Sequence, residues 1–158
     1  MKIRIGQGID FHRLEKDIRL WLGGINVPSE KGFSAHSDGD ILLHAICDAI
    51  LGAAGFEDIG HQFPDTDPQY KNIDSRILLK RSFDLIKKSG YHIINIDSTV
   101  CLEKPKIAPF IPEMKAIISN ILETVPENIS IKATTTEKLG FIGKEEGAVA
   151  IAIALLEK

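Results

Sequence analysis

Residues 147–156 read Gly-Ala-Val-Ala-Ile-Ala-Ile-Ala-Leu-Leu, ten consecutive positions without a polar side chain. A strand with one face in water alternates apolar and polar residues. This stretch does not, so it predicts a strand buried on both faces, inside a sheet or at a subunit contact. The rest of the chain must then supply the layers that cover it. With 158 residues, 44% of them hydrophobic, the chain is expected to form one domain over residues 1–158 with a sizeable core.

Composition narrows the class further. A net charge of −3 with interspersed signs leaves no basic stripe, which argues against nucleic acid as a partner. No apolar run reaches the roughly 18 residues of a membrane span. Residues 1–13 lack the basic-then-apolar layout of a signal peptide. Cys47 and Cys101 are too few for a disulfide framework and suit a reducing cytosol. The expectation is a cytoplasmic α/β protein without a membrane partner.

Taken in order, Arg4 to Arg13 predicts a strand whose Gly6 and Gly8 mark a bulge or a close backbone approach. Ile18 to Leu22 reads as a short strand entering the Gly23-Gly24 turn, and Asn26 to Ser34 as a hairpin or loop. Asp38 to Ala54 carries Leu42, Leu43, Ile46, Ile50 and Leu51 at helical spacing, with Ser37 or Asp38 as N-cap. Asp58-Ile59-Gly60 predicts a tight polar turn. Phe63 to Pro68 has two X-Pro steps and predicts a stiff loop.

Further helices are expected over Asp74 to Lys88 and Pro109 to Val125. The inward residues of the first are Ile77, Leu78, Phe83, Leu85 and Ile86; those of the second are Met114, Ile117, Ile118, Ile121 and Leu122. The Arg/Lys run of the first helix reads as a solvated face. Tyr91 to Leu102 and Ile129 to Ala133 predict strands, with His92 at the surface, and Gly140 to Gly143 predicts a turn.

Asp10 and His12 stand two apart on the first strand and so share a face. One carboxylate and two imidazoles, the second from His44 on the first helix, make a three-ligand zinc set with one position open. Spacing alone leaves this beside the plainer reading of a solvated strand edge. Asp40 and Asp48, at i−4 and i+4 from His44, are candidates to orient its second ring nitrogen. Cys47 could close the set as a fourth ligand, but it also fits the apolar stripe, and packing is favoured. Ser37 can cap the helix or hold a phosphate at its N-terminus. Thr134-Thr135-Thr136-Glu137 fits a β-edge as well as a phosphate site.

Together these blocks closely resemble the 2-C-methyl-D-erythritol 2,4-cyclodiphosphate synthase family of the methylerythritol phosphate route to isoprenoids. The resemblance rests on Arg4-Ile5-Gly6 through Asp10 and His12, on Ala35-His36-Ser37-Asp38-Gly39-Asp40 and on Asp58-Ile59-Gly60. It extends through Phe63-Pro64-Asp65-Thr66-Asp67-Pro68 and Lys132-Ala133-Thr134-Thr135-Thr136-Glu137-Lys138-Leu139-Gly140-Phe141. Order and spacing make the set specific over nearly the whole chain.

The resemblance implies that Asp10, His12 and His44 bind zinc, with a substrate phosphate oxygen as fourth ligand. It implies that His36 and Ser37 contact phosphate, with His36 and Thr135 stabilising the transition state. Asp58, Ile59 and Gly60 would hold substrate hydroxyls, and Phe63, Pro64, Asp65, Thr66 and Asp67 the methylerythritol part. Leu102, Glu103, Lys104, Pro105, Lys106, Ile107 and Ala108, with Ala133, Thr134 and Thr135, would enclose the cytidine. Thr136, Phe141 and Lys144 are further substrate-contact candidates, and Glu137 would anchor a magnesium (or manganese) ion across the diphosphate.

The implied fold is a ferredoxin-like two-layer α/β sandwich, mostly sheet with about three helices, assembled as a homotrimer with sites between subunits. The implied reaction cyclises 4-diphosphocytidyl-2-C-methyl-D-erythritol 2-phosphate and releases CMP, a metal-dependent phosphorus–oxygen lyase reaction. A zinc phosphohydrolase and a non-catalytic protein with a structural zinc are the alternatives. Relatives often carry His, an aromatic residue and Arg where this chain has Gln7, Ile9 and Lys144 near the trimer axis. A lysine lacks arginine's bidentate fork, which argues against tight binding of isoprenoid diphosphates there.

Overall fold

The computed structural model describes residues 2–158. Five strands form one sheet in the order β4-β1-β7-β5-β6. Their ranges are β1 Ile3–Lys16, β4 Lys31–Ser34, β5 His92–Cys101, β6 Ile129–Thr134 and β7 Gly147–Glu157. Only β5 and β6 run parallel; the other neighbours are antiparallel. A separate hairpin joins β2 (Leu20–Leu22) to β3 (Ile25–Val27) through Gly23 and Gly24, both at positive φ. The helices are α1 Ile41–Ala54, α2 Ile59–Gln62, α3 Ser75–Lys88, α4 Ile111–Ile121 and α5 Gly140–Gly143. The fold is therefore mixed α/β with five helices, two of them single turns where the sequence reads only as turns.

The apolar C-terminal strand lies at the centre of the sheet, between β1 and β5. Ala148, Ala150, Ala152, Ala154 and Leu156 are wholly buried on its inner face, under α1. Within one chain only this inner face is covered. Ile151 and Leu155 are half-buried and Ile153 is exposed, because no helix among the described residues covers their side.

Strand β1 runs three residues further than the expected Arg13 and pairs with β7 without a register shift, so no bulge forms. The glycines serve close approach instead. A Cβ on Gly6 would fall 2.0 Å from the Ala49 carbonyl oxygen, and one on Gly8 1.9 Å from that of Ala45. Two side chains' thickness is thereby removed between β1 and α1.

Helix α1 begins at Ile41, later than expected, because its N-cap is Asp40 rather than Ser37 or Asp38. The Asp40 carboxylate accepts from the N–H groups of Leu43, Gly23 and Gly24, so one buried residue ties helix to hairpin. In α3, capped by Asp74, Leu78, Leu79, Phe83 and Ile86 face the core. Ile77 is exposed and Leu85 half-buried, which corrects the inward set: Leu79, not Ile77, completes the stripe. Helix α4 is shorter than Pro109 to Val125, preceded by the 3₁₀ turn Ala108–Phe110 and ending at Ile121. Among the described residues no helix is long and apolar enough to cross a membrane.

Candidate active site and metal centre

Because Gly6 and Gly8 let α1 lie directly on β1, the next inward positions of the strand meet the first turn of the helix. Asp10 Oδ2 lies 3.0 Å from His12 Nδ1 and 3.1 Å from His44 Nδ1. One ligand atom from each of these residues falls within 4.8 Å of the others, the one such group among the described residues.

The donor set suits a divalent cation. His12 Nδ1 is buried and meets Asp10 Oδ2 at 3.0 Å without good hydrogen-bond geometry, an arrangement that a shared cation would satisfy. His44 Nε2 is occupied by Ser75 Oγ at 2.8 Å, which leaves Nδ1 to face Asp10. One carboxylate and two imidazoles form a three-residue group consistent with a divalent cation. Burial alone would raise the Asp10 carboxyl, but the two neighbouring imidazoles overcome this and hold it down at about 2. Burial also opposes charge on His44, yet contact with Asp10 raises its pKa above the ordinary 6.5.

The expected orienting partners of His44 are not those observed. Asp40 is consumed by three N–H groups, and burial raises its pKa to about 6. Asp48 accepts from the Ile59 N–H at 2.7 Å and holds α2. The partner is Ser75, at the start of α3, which the sequence reading missed. A serine after a capping Asp signals a helix start and nothing about a histidine 31 positions away. Cys47 is fully buried within α1 and outside the donor group, and burial pushes its thiol far up, as packing requires.

A cleft of about 400 Å³ opens beside the cluster. It gathers His12, His36, Ser37, His44, Ile59 and Gly60 with Phe63, Pro64, Asp65 and Thr66. Two backbone bonds clip the His36 loop to the segment before α3: Asn72 N–H to the His36 carbonyl at 2.7 Å, and Asp38 N–H to that of Ile73 at 3.1 Å. Asp58 lies at the rim as N-cap of α2, hydrogen-bonded to His61, whose contact holds its carboxyl low. Asp67 caps the 3₁₀ turn Pro68–Tyr70 and accepts from Gln69, outside the cleft wall.

A second hollow of about 180 Å³ is walled by Leu102, Glu103, Pro105, Lys106, Ile107, Ala108, Ala133, Thr134 and Thr135. It shares no lining residue with the first, so His36 and Thr135 line different hollows of one chain. Lys104 turns outward to Glu145 at 2.9 Å. Thr136 and Glu137 follow β6, with Glu137 exposed and at positive φ. Its carboxylate accepts from the Thr135 hydroxyl at 3.5 Å, and Glu103 Oε2 accepts from the neighbouring Thr136 N–H at 3.4 Å. Phe141 lines a third cleft with Phe11, while Lys144 is exposed at the end of α5.

A sequence profile of the YgbB family matches residues 3–157. The 2-C-methyl-D-erythritol 2,4-cyclodiphosphate synthase of Bacteroides thetaiotaomicron is 54% identical over 158 residues, covering 100% of this chain and 99% of its own. The bifunctional IspDF from Campylobacter jejuni superposes with a TM-score of 0.94 at 43% identity, over 98% of this chain; the chain spans 42% of that longer protein. A CDP-bound form of a 2C-methyl-D-erythritol-2,4-cyclodiphosphate synthase superposes with a TM-score of 0.90 at 35% identity, over 98% of this chain and 100% of its own. The chain belongs to the YgbB family, the family of 2-C-methyl-D-erythritol 2,4-cyclodiphosphate synthases that its motifs resemble.

Proposed function

We propose that this protein converts 4-diphosphocytidyl-2-C-methyl-D-erythritol 2-phosphate into 2-C-methyl-D-erythritol 2,4-cyclodiphosphate and CMP, in the non-mevalonate supply of isoprenoid precursors. The observation that carries the reading is the Asp10, His12 and His44 donor group at the wall of a cleft flanked by His36 and Ser37, in a chain of this family.

In this reaction an oxygen of the substrate's 2-phosphate attacks the β-phosphorus, and the bond from that phosphorus to the bridging oxygen breaks. CMP leaves with the bridging oxygen and its electron pair. The nucleophile is already anionic and belongs to the same molecule, so the chain needs no activated Ser or Cys and no strong base. Holding tethered partners in line can be worth about 7–11 kcal/mol at its upper end. His36 and Ser37 hold phosphate at the cleft, Asp58 and Gly60 the hydroxyls, and the Phe63–Asp67 loop the carbon skeleton. The hollow of Leu102–Ala108 and Ala133–Thr135 takes the cytidine, and Thr135 steadies the diphosphate. Zinc at Asp10, His12 and His44, and magnesium or manganese near Glu137, supply Lewis-acid neutralisation of the crowded phosphates when bound.

The assembly is part of the proposal: one catalytic domain over residues 1–158, layered like a ferredoxin and working in the cytoplasm as a homotrimer. Its support is the uncovered apolar sheet face, together with the separation of the His36 cleft from the Thr135 hollow within one copy. A neighbouring copy would complete the site. The test is to incubate purified protein with the diphosphocytidyl substrate and follow CMP, with and without chelator, in ¹⁸O-water. Metal-dependent CMP with unlabelled cyclic diphosphate is expected. Labelled linear products would make it a hydrolase instead, and absence of CMP would overturn both.

A further inference from the structure

We propose that Ser75 and Asp38 form a positioning relay that fixes the tautomer and ring orientation of His44 and locks the metal centre to the phosphate-facing loop. The inference rests on the metal-site reading above and extends it to two residues that touch neither metal nor substrate.

Hydrogen-bond accounting sets the direction of the relay. Ser75 is wholly buried at the first position of α3. Its Oγ–H donates to Asp38 Oδ1, an oxygen that also accepts from the Asp40 N–H at 3.1 Å. Asp38 Oδ2 accepts from the Ser75 N–H at 2.8 Å, so the carboxylate grips this residue at two atoms. A hydroxyl has one proton, and here Asp38 receives it. Ser75 Oγ must therefore accept at its 2.8 Å contact with His44, which places a proton on Nε2 and leaves the Nδ1 lone pair of the neutral ring facing Asp10 and His12.

Ser37 Oγ lies 3.2 Å from the same Nε2 and accepts from the Gly39 N–H at 3.1 Å. Ser37 also lines the cleft, so its hydroxyl can turn to a phosphate. Ser75 is enclosed and keeps its hold on His44 when Ser37 turns away. Asp38 belongs to the same loop as His36 and Ser37, so the Asp38–Ser75 contact fixes loop and ligand in one frame.

The experiment compares wild type, Ser75→Ala, Ser75→Thr and Asp38→Asn by zinc affinity in chelator competition and by the visible spectrum of the cobalt-substituted protein. Melting of each metal-free protein controls for stability. Wild type should bind one zinc per chain. Ser75→Ala should bind it about 10–100-fold more weakly, with an altered cobalt spectrum. Ser75→Thr, which keeps the hydroxyl, should recover affinity, and Asp38→Asn should weaken it because the amide keeps one acceptor oxygen and turns an NH2 toward either the Ser75 N–H or its hydroxyl. Wild-type affinity and spectrum in Ser75→Ala, even with a lowered melting temperature, would make Ser75 merely structural and overturn the relay alone. A wild-type protein that takes up no zinc would overturn the metal reading and the relay with it.

Discussion

Gly8 and Ala45 stand so close that a Cβ added to the glycine would fall 1.9 Å from the alanine's carbonyl oxygen. That obstacle is backbone in the middle of a buried helix, and it has no alternative rotamer. The same contact sets the spacing at which Asp10, one inward step along β1, meets His44, one position back on α1. Gly8→Ala is therefore expected to push β1 off α1, costing at least about 3 kcal/mol where overpacking usually costs 1–3. For a chain of this length that lowers the melting temperature by about 6–12 °C. Zinc binding should fall in the same variant, read by chelator competition; a stable variant with intact zinc binding would show that the glycine does not set the site.

Removing a ligand should separate chemistry from fold. His44→Ala leaves two donors and removes the Nε2–H that Ser75 Oγ accepts, while the serine keeps its bond to Asp38, a loss of about 0.5–1.5 kcal/mol for that hydrogen bond. The variant should remain folded by circular dichroism, take up no zinc and release no CMP. Cys47→Ala should keep both zinc and turnover, since that thiol packs in α1 away from the donor group. Loss of zinc from Cys47→Ala would mean a closed four-ligand site and a structural metal.

Much of this site was legible before any coordinates, and the reason is local. Asp10 and His12 announce a shared face by their period of two, and His44 lies on a strongly patterned helix, so spacing offers three donors and the family resemblance selects them over a solvated edge. What spacing lacks is the third dimension. Nothing local says that Ser75 rather than Asp40 or Asp48 reaches His44, because that choice depends on how α3 docks against α1. The Asp40 carboxylate is drawn away by the Gly23-Gly24 turn, another contact between distant segments. Likewise the period of α3 marks a helix, but the tertiary contacts select Leu79 over Ile77 for burial. The ends of α1 and α4 moved for a related reason, since capping and 3₁₀ geometry settle them.

The zinc and magnesium roles proposed above should be separable by mutation. Glu137 is exposed at the end of β6, remote in sequence from the three donors and outside their group. Glu137→Gln should raise the magnesium concentration needed for half-maximal CMP release and leave zinc affinity unchanged. An equal loss of both dependences would contradict the division of roles.

Protons and metal compete for the same atoms, which gives the metal-free protein a defined pH window. The Asp10 carboxyl is depressed from 3.8 to about 2, so its stabilising effect is complete above pH 3.8 and fades as the pH falls toward 2. The shift bounds that effect at about 2 kcal/mol. His44 is raised above 6.5, so its effect is complete below pH 6.5 and fades as the pH climbs through its folded value. Urea unfolding in chelator should therefore show greatest stability from these groups between about pH 4 and 6.5. Zinc affinity should weaken as the pH falls through the His44 titration, because the ligand must first lose its Nδ1 proton. A zinc affinity flat from pH 8 to pH 5 would remove His44 from the ligand set.

The uncovered face of the sheet provides the test of assembly. Along β1, Ile5, Ile9 and Phe11 are 72%, 46% and 57% exposed, and beside them on β7 Ile153 is 41% exposed. Register places Ile5 opposite Leu155, Gln7 opposite Ile153, Ile9 opposite Ile151 and Phe11 opposite Val149, so the patch is apolar except at Gln7. A patch of this kind on a rigid sheet marks a contact with another protein surface. In the proposed trimer it is buried between copies, and a charge there would be desolvated without a partner. Ile153→Asp should yield monomers in sedimentation velocity while the secondary structure stays intact, since Ile153 points away from the core. CMP release should fall with the trimer, because His36 and Thr135 line different hollows of one chain, which the proposed neighbouring copy would join. A monomeric variant with full turnover would show that a single chain holds the complete site, and a wild type that sediments as a monomer would remove the trimer from the account.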